Sequence, residues 1–402
     1  MVQTSAAAVA PSLLRRMNQR LLLDLLFTGG PAIRPQLARE TGLSLPTVIA
    51  ALRDLEAAGL VRTTTTTRRS EEAQQGRPAA SYEANAEAGH VLGVDIGREK
   101  VRVLLADLAG RPLGAPLEVR NRARTADALV DQVQDVVALT TRQAGLDAVA
   151  VTHTVIGSPG VLDPGRGRIR YAPNLPGWQR PGLAETLAER LGTALTIDND
   201  ANLAALGEHA YGAARGLTNY VYLHLGTGVG LGLVLGGRLY RGRGAAGEVG
   251  FLPLGDRRSM HARRGMLEES VAADAIVRRA REEGMTGRLT AEIVFAAARD
   301  EGDERALRTV AAVGGHVGSL VAGILAFLDP ELIVFGGGIG QNLDLLEPHV
   351  GEALAAITPM RPRLAVSALG GEAVLWGAIA TGVSAAREAV FAAVEDGKER
   401  LE

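Results

Sequence analysis

The chain contains no cysteine, which excludes disulfides, thiolate zinc sites and cysteine nucleophiles together. Lysine is almost missing as well. The two present, Lys100 and Lys398, stand beside Glu99 and Glu399, so no Gly-Lys-Ser/Thr phosphate loop exists. No apolar run reads as approaching the roughly 20 residues that a membrane span needs. The first ten residues are small and apolar but lack the basic flank of a signal peptide. Residues 1–10 therefore read as a flexible tail, and the protein as cytoplasmic with no membrane partner.

What is present describes folded, soluble units. Hydrophobic residues make up 47% of 402 and charged residues 22%, a globular composition long enough for two or three domains. The overall charge of −2 hides an asymmetry. Ten arginines against six acidic residues make residues 1–82 net +4, which leaves −6 for the remainder. A basic front on an acidic body suits a DNA-reading module joined to a small-molecule domain.

The front carries the pattern of a winged helix-turn-helix. Residues 11–28 have apolar positions at helical spacing and stop at Gly29-Gly30. A short second helix begins between Pro31 and Pro35 and runs through Glu40. Thr41-Gly42-Leu43-Ser44 is a tight turn, with Gly42 supplying the permissive backbone and Ser44 an N-cap. A third helix follows from Leu45 to about Ala58, burying Val48, Leu52 and Leu55. Ser44, Pro46, Thr47 and Arg53 lie at or near its exposed face, where a recognition helix meets the major groove. Leu60 to Thr67 reads as a strand, Arg68 to Glu72 as a wing tip, and Gly76-Arg77-Pro78 as the segment's end. Arg77 on such a loop is placed to enter a narrow minor groove.

From about His90 the texture becomes strands, glycine turns and helices. Val91 to Gly97 is an apolar strand ending in Asp95-x-Gly97. Two further strands, an amphipathic helix from Ala126 to Ala144 and the strand Ala148 to Ile156 follow. A second strand pair meets at Gly226-Thr227-Gly228, then a hairpin at Gly236-Gly237. The repetition implies two similar lobes around a cleft, where ligands bind. Gly226 to Gly232 joins two strands instead of opening a helix, so it is no dinucleotide fingerprint. Thr196 to Asn202 sits where a strand runs into a helix. A carboxylate there, flanked by amides, suits hydroxyl binding and proton acceptance. Glu248 and Glu268 add carboxylates without metal-ligand spacing, which fits a neutral polyol or sugar.

These motifs, in this order, resemble the repressor/ORF/kinase (ROK) family over nearly the whole chain. The matching segments are Asp95-Ile96-Gly97, Ala172 to Trp178, Asn199-Asp200-Ala201-Asn202, Gly226 to Gly230, Gly244 to Gly250, Leu267-Glu268, and Asp329-Pro330-Glu331 leading to Gly336-Gly337-Gly338. The resemblance implies an α/β chain: a winged helix-turn-helix followed by an actin-like, hexokinase-like two-lobed domain with sugar in its cleft. It implies a general-base position at Asp200, and sugar contacts at Asn174, Asn199, Asp200, Glu248 and Glu268. Nucleotide contacts fall at Asp95, Gly97, Gly226, Thr227, Gly228, Gly336, Gly337 and Gly338.

Three departures oppose catalysis. Arg98-Glu99 replaces the Gly-Thr of the kinase phosphate loop, and a carboxylate near a triphosphate costs about 1–4 kcal/mol per close charge pair. Arg98 offsets that only by pointing inward. Phe251 replaces a sugar- and zinc-binding histidine. Ser259, His261 and Met266 replace the three zinc cysteines, leaving Phe251 and Met266 as an apolar pair to hold the loop. No zinc is expected, and ATP with magnesium only where kinase activity survives.

The expected domains are 11–82 for DNA binding, 83–88 as linker and 89–402 for the two lobes, divided near residue 200, with the last helix returning to the first lobe. The leading reading is a sugar-responsive regulator, a repressor of carbohydrate-utilisation genes, with operator DNA and a monosaccharide as partners and a homodimer or tetramer as its assembly. The alternatives are an active ATP-dependent sugar kinase, and a DNA-binding protein whose body only dimerises.

Overall fold

The structure is a computed structural model; it describes residues 11–65, 80–146, 150–163, 168–170, 172, 175, 177–255 and 265–399. Helix α1 (Pro11–Gly29) leads through β1 (Ala32–Ile33) to α2 (Arg34–Thr41), which has a proline in its first turn. Gly42 then takes φ +70°, a left-handed step that a side chain would strain. Ser44 caps α3 (Leu45–Ala57) by accepting a hydrogen bond from the Thr47 amide at 3.3 Å. Strands β2 (Val61–Thr65) and β3 (Ala80–Ala84) pair antiparallel, and β1 adds to β3. Leu22, Leu37, Val48, Leu52, Leu55 and Tyr82 fill the core of this unit. The wing tip and Arg77 lie outside the described residues. β3 continues two residues past 82, and the Asn85 side chain ties back to the Gly59 carbonyl at 2.8 Å.

The first lobe is built on β4 (His90–Ile96), β5 (Lys100–Asp107) and β6 (Leu117–Arg120), an antiparallel meander. After α4 (Ala126–Gln143), β7 (Val151–Ser158) joins parallel to β4. A small hairpin of β8 (Val161–Asp163) and β9 (Arg168–Arg170) precedes α5 (Leu183–Leu191) and β10 (Ala194–Asn199), which lies parallel to β7. The order is β10-β7-β4-β5-β6. Trp178 is fully buried in this lobe and donates from Nε1 to Ser158 Oγ at 2.5 Å.

Helix α6 (Asp200–Tyr211) crosses to the second lobe, where β11 (Tyr220–Leu225), β12 (Val229–Leu235) and β13 (Arg238–Leu239) form a second meander. Helices α7 (Glu268–Val271), α8 (Ala273–Glu282), α9 (Ala291–Ala296) and α10 (Glu304–Leu328) lead to β14 (Leu332–Gly336). Then come α11 (Gly337–Gly340), α12 (Leu343–Ile357) and β15 (Leu364–Val366). The order β13-β12-β11-β14-β15 repeats the first lobe: a three-strand meander extended by two parallel strands.

α10 corrects the expectation about apolar runs, because it is long and apolar enough to cross a membrane by length and composition. It is instead the core helix of the second lobe. Val310, Val313, Val317, Val321 and Leu325 are buried, and Gly314 and Gly318 lie against His349, Val350 and Ala353 of α12.

The last helix, α13 (Ala373–Glu399), follows the last strand of the second lobe as α6 follows that of the first, and it returns to pack on the first lobe. The two helices cross with backbones touching. A Cβ on Gly207 would strike the Ala373 carbonyl, and one on Gly377 the Leu203 carbonyl, which makes both positions glycine's. α13 also packs on β4, β5 and β7, and near its end Phe391 is buried in the core of the DNA-binding unit.

Candidate effector cleft and DNA-reading face

The two lobes enclose a cleft of about 870 Å³, ample for a monosaccharide. The β10–α6 junction delivers its centre. Asn199 caps α6, its Oδ1 accepting from the Ala201 and Asn202 amides at 3.0 and 3.3 Å, while its Nδ2 donates to the Gly160 carbonyl at 3.1 Å. That side chain is therefore spent on the scaffold. Asp200, the first residue of the helix, lines the cleft and faces Asp95, Glu248 and His224 closely enough to perturb all three. Asn202, 4% exposed, keeps Oδ1 without a hydrogen-bond partner at the cleft wall, an acceptor for a ligand hydroxyl.

Opposite, the Gly226–Gly228 turn closes with a 3.0 Å backbone hydrogen bond, and Glu268 accepts from the Val229 amide at 3.2 Å. Glu248 and Phe251 come from the following loop. Phe251 lines the cleft and stays 46% exposed, so it is a cleft wall and not the buried apolar prop expected beside Met266. Residues 256–264, which include Ser259 and His261, lie outside the described residues, as does Asn174. Gly337 and Gly338 line the cleft, but Gly336 sits behind it: a Cβ there would overlap the Tyr222 hydroxyl.

Crowded carboxylates give the cleft its electrostatics. Burial pushes Glu248 up to about 7, with repulsion from Asp200 and Glu268 adding to it. Burial also raises Asp95 to about 7, against the pull of Arg102 and with Asp200 and Glu118 adding to the rise. His224 is held below its usual range by burial, which outweighs the attraction of Asp200. A cleft so crowded with carboxyls favours a neutral, hydroxyl-rich ligand over an anionic one.

Among the described residues, polar ties cross between the lobes. Arg98 lines the cleft and lies 3.8 Å from Asp274 at the start of α8. Arg102, 3.6 Å from Asp95, donates to the Gly371 carbonyl just before α13. Arg241 holds Asp198 at 2.6 Å. Arg98 and Glu99 line the cleft beside Gly97. Phe251 has no lone pair to offer a metal. Among the described residues no cluster of His, Asp and Glu has metal-ligating geometry.

Sequence reasoning missed Arg102, Tyr222 and His224. The last two alternate on β11 just before the glycine turn, so the two-residue period of the strand carried the signal.

The DNA-reading face is the exposed side of α3. Ser44 and Pro46 are exposed, Thr47 is half-buried with Oγ1 2.8 Å from Ser44 Oγ, and Arg53 is 77% exposed. Behind the helix, buried Asp54 accepts from Arg15 and Gln19 of α1, each at 2.9 Å, which fixes its rotation. The two units are tied together by α13. The Arg387 guanidinium stacks 3.9 Å from the Phe27 ring centroid and donates to the Leu108 carbonyl at 2.8 Å, and Glu388 pairs with Arg20 at 2.5 Å.

A winged helix-turn-helix fused to a duplicated, actin-like body with a carboxylate-lined cleft defines a DNA-binding protein built on a sugar-kinase scaffold. The chain belongs to the ROK family, whose pattern matches residues 91–381, and residues 30–62 match a winged helix-turn-helix DNA-binding pattern. It is similar to the DNA-binding transcriptional dual regulator NagC of Escherichia coli K12, 27% identical over 356 residues and covering 84% of each chain. It is also similar to the glucokinase of Thermotoga maritima, 33% identical over 275 residues, 64% of this chain and 84% of that one. A solved ROK family transcriptional regulator, a homologue of the E. coli MLC protein, shares the fold with a TM-score of 0.77 at 23% identity, over 95% of this chain and 98% of that one.

Proposed function

We propose that the protein is a sugar-responsive transcriptional regulator: a monosaccharide in the cleft changes the affinity of the helix-turn-helix for operator DNA, without phosphate transfer. The observation that carries this reading is the course of α13. Ala373 and Val374 at its start line the cleft, and Phe391 near its end is buried in the DNA-binding core. A ligand that binds one lobe arrangement better than the other moves a helix that both sites share, and differential affinity is what such a shift requires. The resemblance to NagC extends over both units, whereas the glucokinase match covers 64% of the chain.

In this reading Asp200, Asn202, Glu248 and Glu268 hold the sugar, and Asp95, Gly97 and the glycine turns are remnants of a nucleotide site. The chain acts in the cytoplasm as a homodimer, because helix-turn-helix proteins read paired half-sites about one turn apart. It uses neither zinc nor magnesium-ATP.

A second reading, an active sugar kinase, draws on one observation: Asp200 stands at the start of α6, in the cleft, in the family's general-base position. A thermal-shift screen of monosaccharides with and without magnesium-ATP separates the two. A sugar at 100 times its dissociation constant adds about 2.7 kcal/mol of stability. A shift from sugar alone supports the regulator, while a shift that needs nucleotide, with Asp200-dependent turnover, supports the kinase.

A further inference from the structure

The exposed face of the recognition helix is mostly apolar. Leu45 is 44% exposed and Ile49 is 41% exposed, one turn further along the same side. Ala50 and Pro46 beside them are exposed too. None of these four side chains can donate or accept a hydrogen bond. Hydrogen-bonding capacity on this face is confined to its ends, the paired Ser44 and Thr47 hydroxyls at one and Arg53 at the other. The surface is no loose end of the core, because Val48, Leu52 and Leu55 fill the opposite side and the Asp54 bonds hold the helix in rotation.

The occupant follows from charge and chemistry. Arg53 is 77% exposed at one end of the patch, Arg39 is exposed on the neighbouring α2, and a capped helix N-terminus with two hydroxyls stands at the other end. Such a rim attracts phosphates on either side of an apolar strip. In duplex DNA the apolar group on the floor of the major groove is the C5-methyl of thymine.

Resting on the DNA-binding reading above, we propose that Leu45 and Ile49 read thymine methyl groups, so that each half-site carries thymines at two positions set by these side chains. Residues four apart on a helix are separated by about 6 Å along its axis. That corresponds to about two base steps at roughly 3.4 Å each, so the two thymines lie close together.

The test uses the full chain to select duplexes from a randomised library. Fluorescence anisotropy then follows the best duplex with each thymine replaced singly by deoxyuridine, which removes the methyl and leaves the hydrogen-bonding edge intact. Two positions per half-site are expected to lose about fourfold in affinity, the equivalent of one buried methyl group. Ile49→Ala is expected to bind the thymine and deoxyuridine duplexes equally at one of those positions and to keep the discrimination at the other; Leu45→Ala does the reverse. Ile49→Ser, which has no γ-methyl and is checked by its melting temperature, provides the same comparison if the alanine variant folds poorly. Deoxyuridine duplexes that bind as well as the parent overturn the proposal, as does a methyl effect that persists in both variants. A chain that selects no duplex at all overturns the DNA-binding reading along with it.

Discussion

The Arg387 guanidinium lies 3.9 Å from the centroid of the Phe27 ring, so the last helix of the sugar-kinase-like body grips the first helix of the DNA-binding unit. Phe27 belongs to α1, which also holds the recognition helix through Asp54. One contact thus sits between the cleft-lining helix and the DNA-reading helix.

Replacing this residue is expected to uncouple the two sites. Arg387→Met keeps an apolar stem but loses the cation over the ring, worth about 1 kcal/mol. A tenfold response of operator affinity to sugar should shrink to about twofold, with sugar affinity unchanged. Calorimetric sugar titration beside operator anisotropy measures both quantities. A full response in the variant would remove Arg387 from the coupling path.

Asp200→Asn is expected to weaken sugar binding by about 10- to 100-fold, the loss of a charge-assisted hydrogen bond worth about 1.5–3 kcal/mol. The melting temperature should not fall, because the change relieves repulsion on Glu248 and Asp95. Unchanged sugar affinity would place the ligand elsewhere.

Stability should decline as pH rises from about 4.5 through 7. Glu248 has a folded pKa near 7 against an ordinary value of 4.5, so the folded state binds the extra proton between them. The stabilisation is complete below the ordinary value and lost as pH climbs through the folded one. Asp95 acts in the same direction. Glu248→Gln is therefore expected to melt several degrees above wild type at pH 8 and close to it at pH 5. Parallel melting curves for the two proteins across that range would contradict the assignment.

Ser44→Ala removes the cap on the recognition helix and should cost about 1 kcal/mol of stability. Operator affinity is expected to fall while sugar affinity holds. Loss of both would mean that the cap supports the whole fold and not this helix end.

Elemental analysis of purified protein is expected to find no stoichiometric zinc, since Phe251, Ser259, His261 and Met266 replace the family's ligands. One zinc per chain would show a different ligand set.

Local signals made much of this readable from sequence. The Gly42 turn and the Ser44 cap follow from the backbone needs of single residues, and the repeated strand-turn-strand texture led to the paired sheets. The Asn199–Asp200 segment stood out because a strand ran into a helix at a carboxylate. What stayed hidden depends on long-range contact. Nothing in the pattern of residues 373–399 says that Phe391 is buried in another unit. The pairs Arg98–Asp274 and Arg241–Asp198 join segments that only the packing of the two lobes brings together. Glycine runs carry more than one demand: at Gly336 the Tyr222 hydroxyl leaves no room for a Cβ. In α10 the small residues Gly314, Gly315, Gly318 and Gly323 break up the apolar look of a stretch that carries no Asp, Glu, Lys or Arg after Arg308.

The most direct test is to measure operator affinity of the full chain by anisotropy, with and without a saturating sugar taken from the thermal-shift screen, and with no nucleotide present. At least a tenfold change in dissociation constant is predicted, which requires only about 1.4 kcal/mol of coupling. An operator affinity that stays the same while sugar demonstrably fills the cleft would contradict the account.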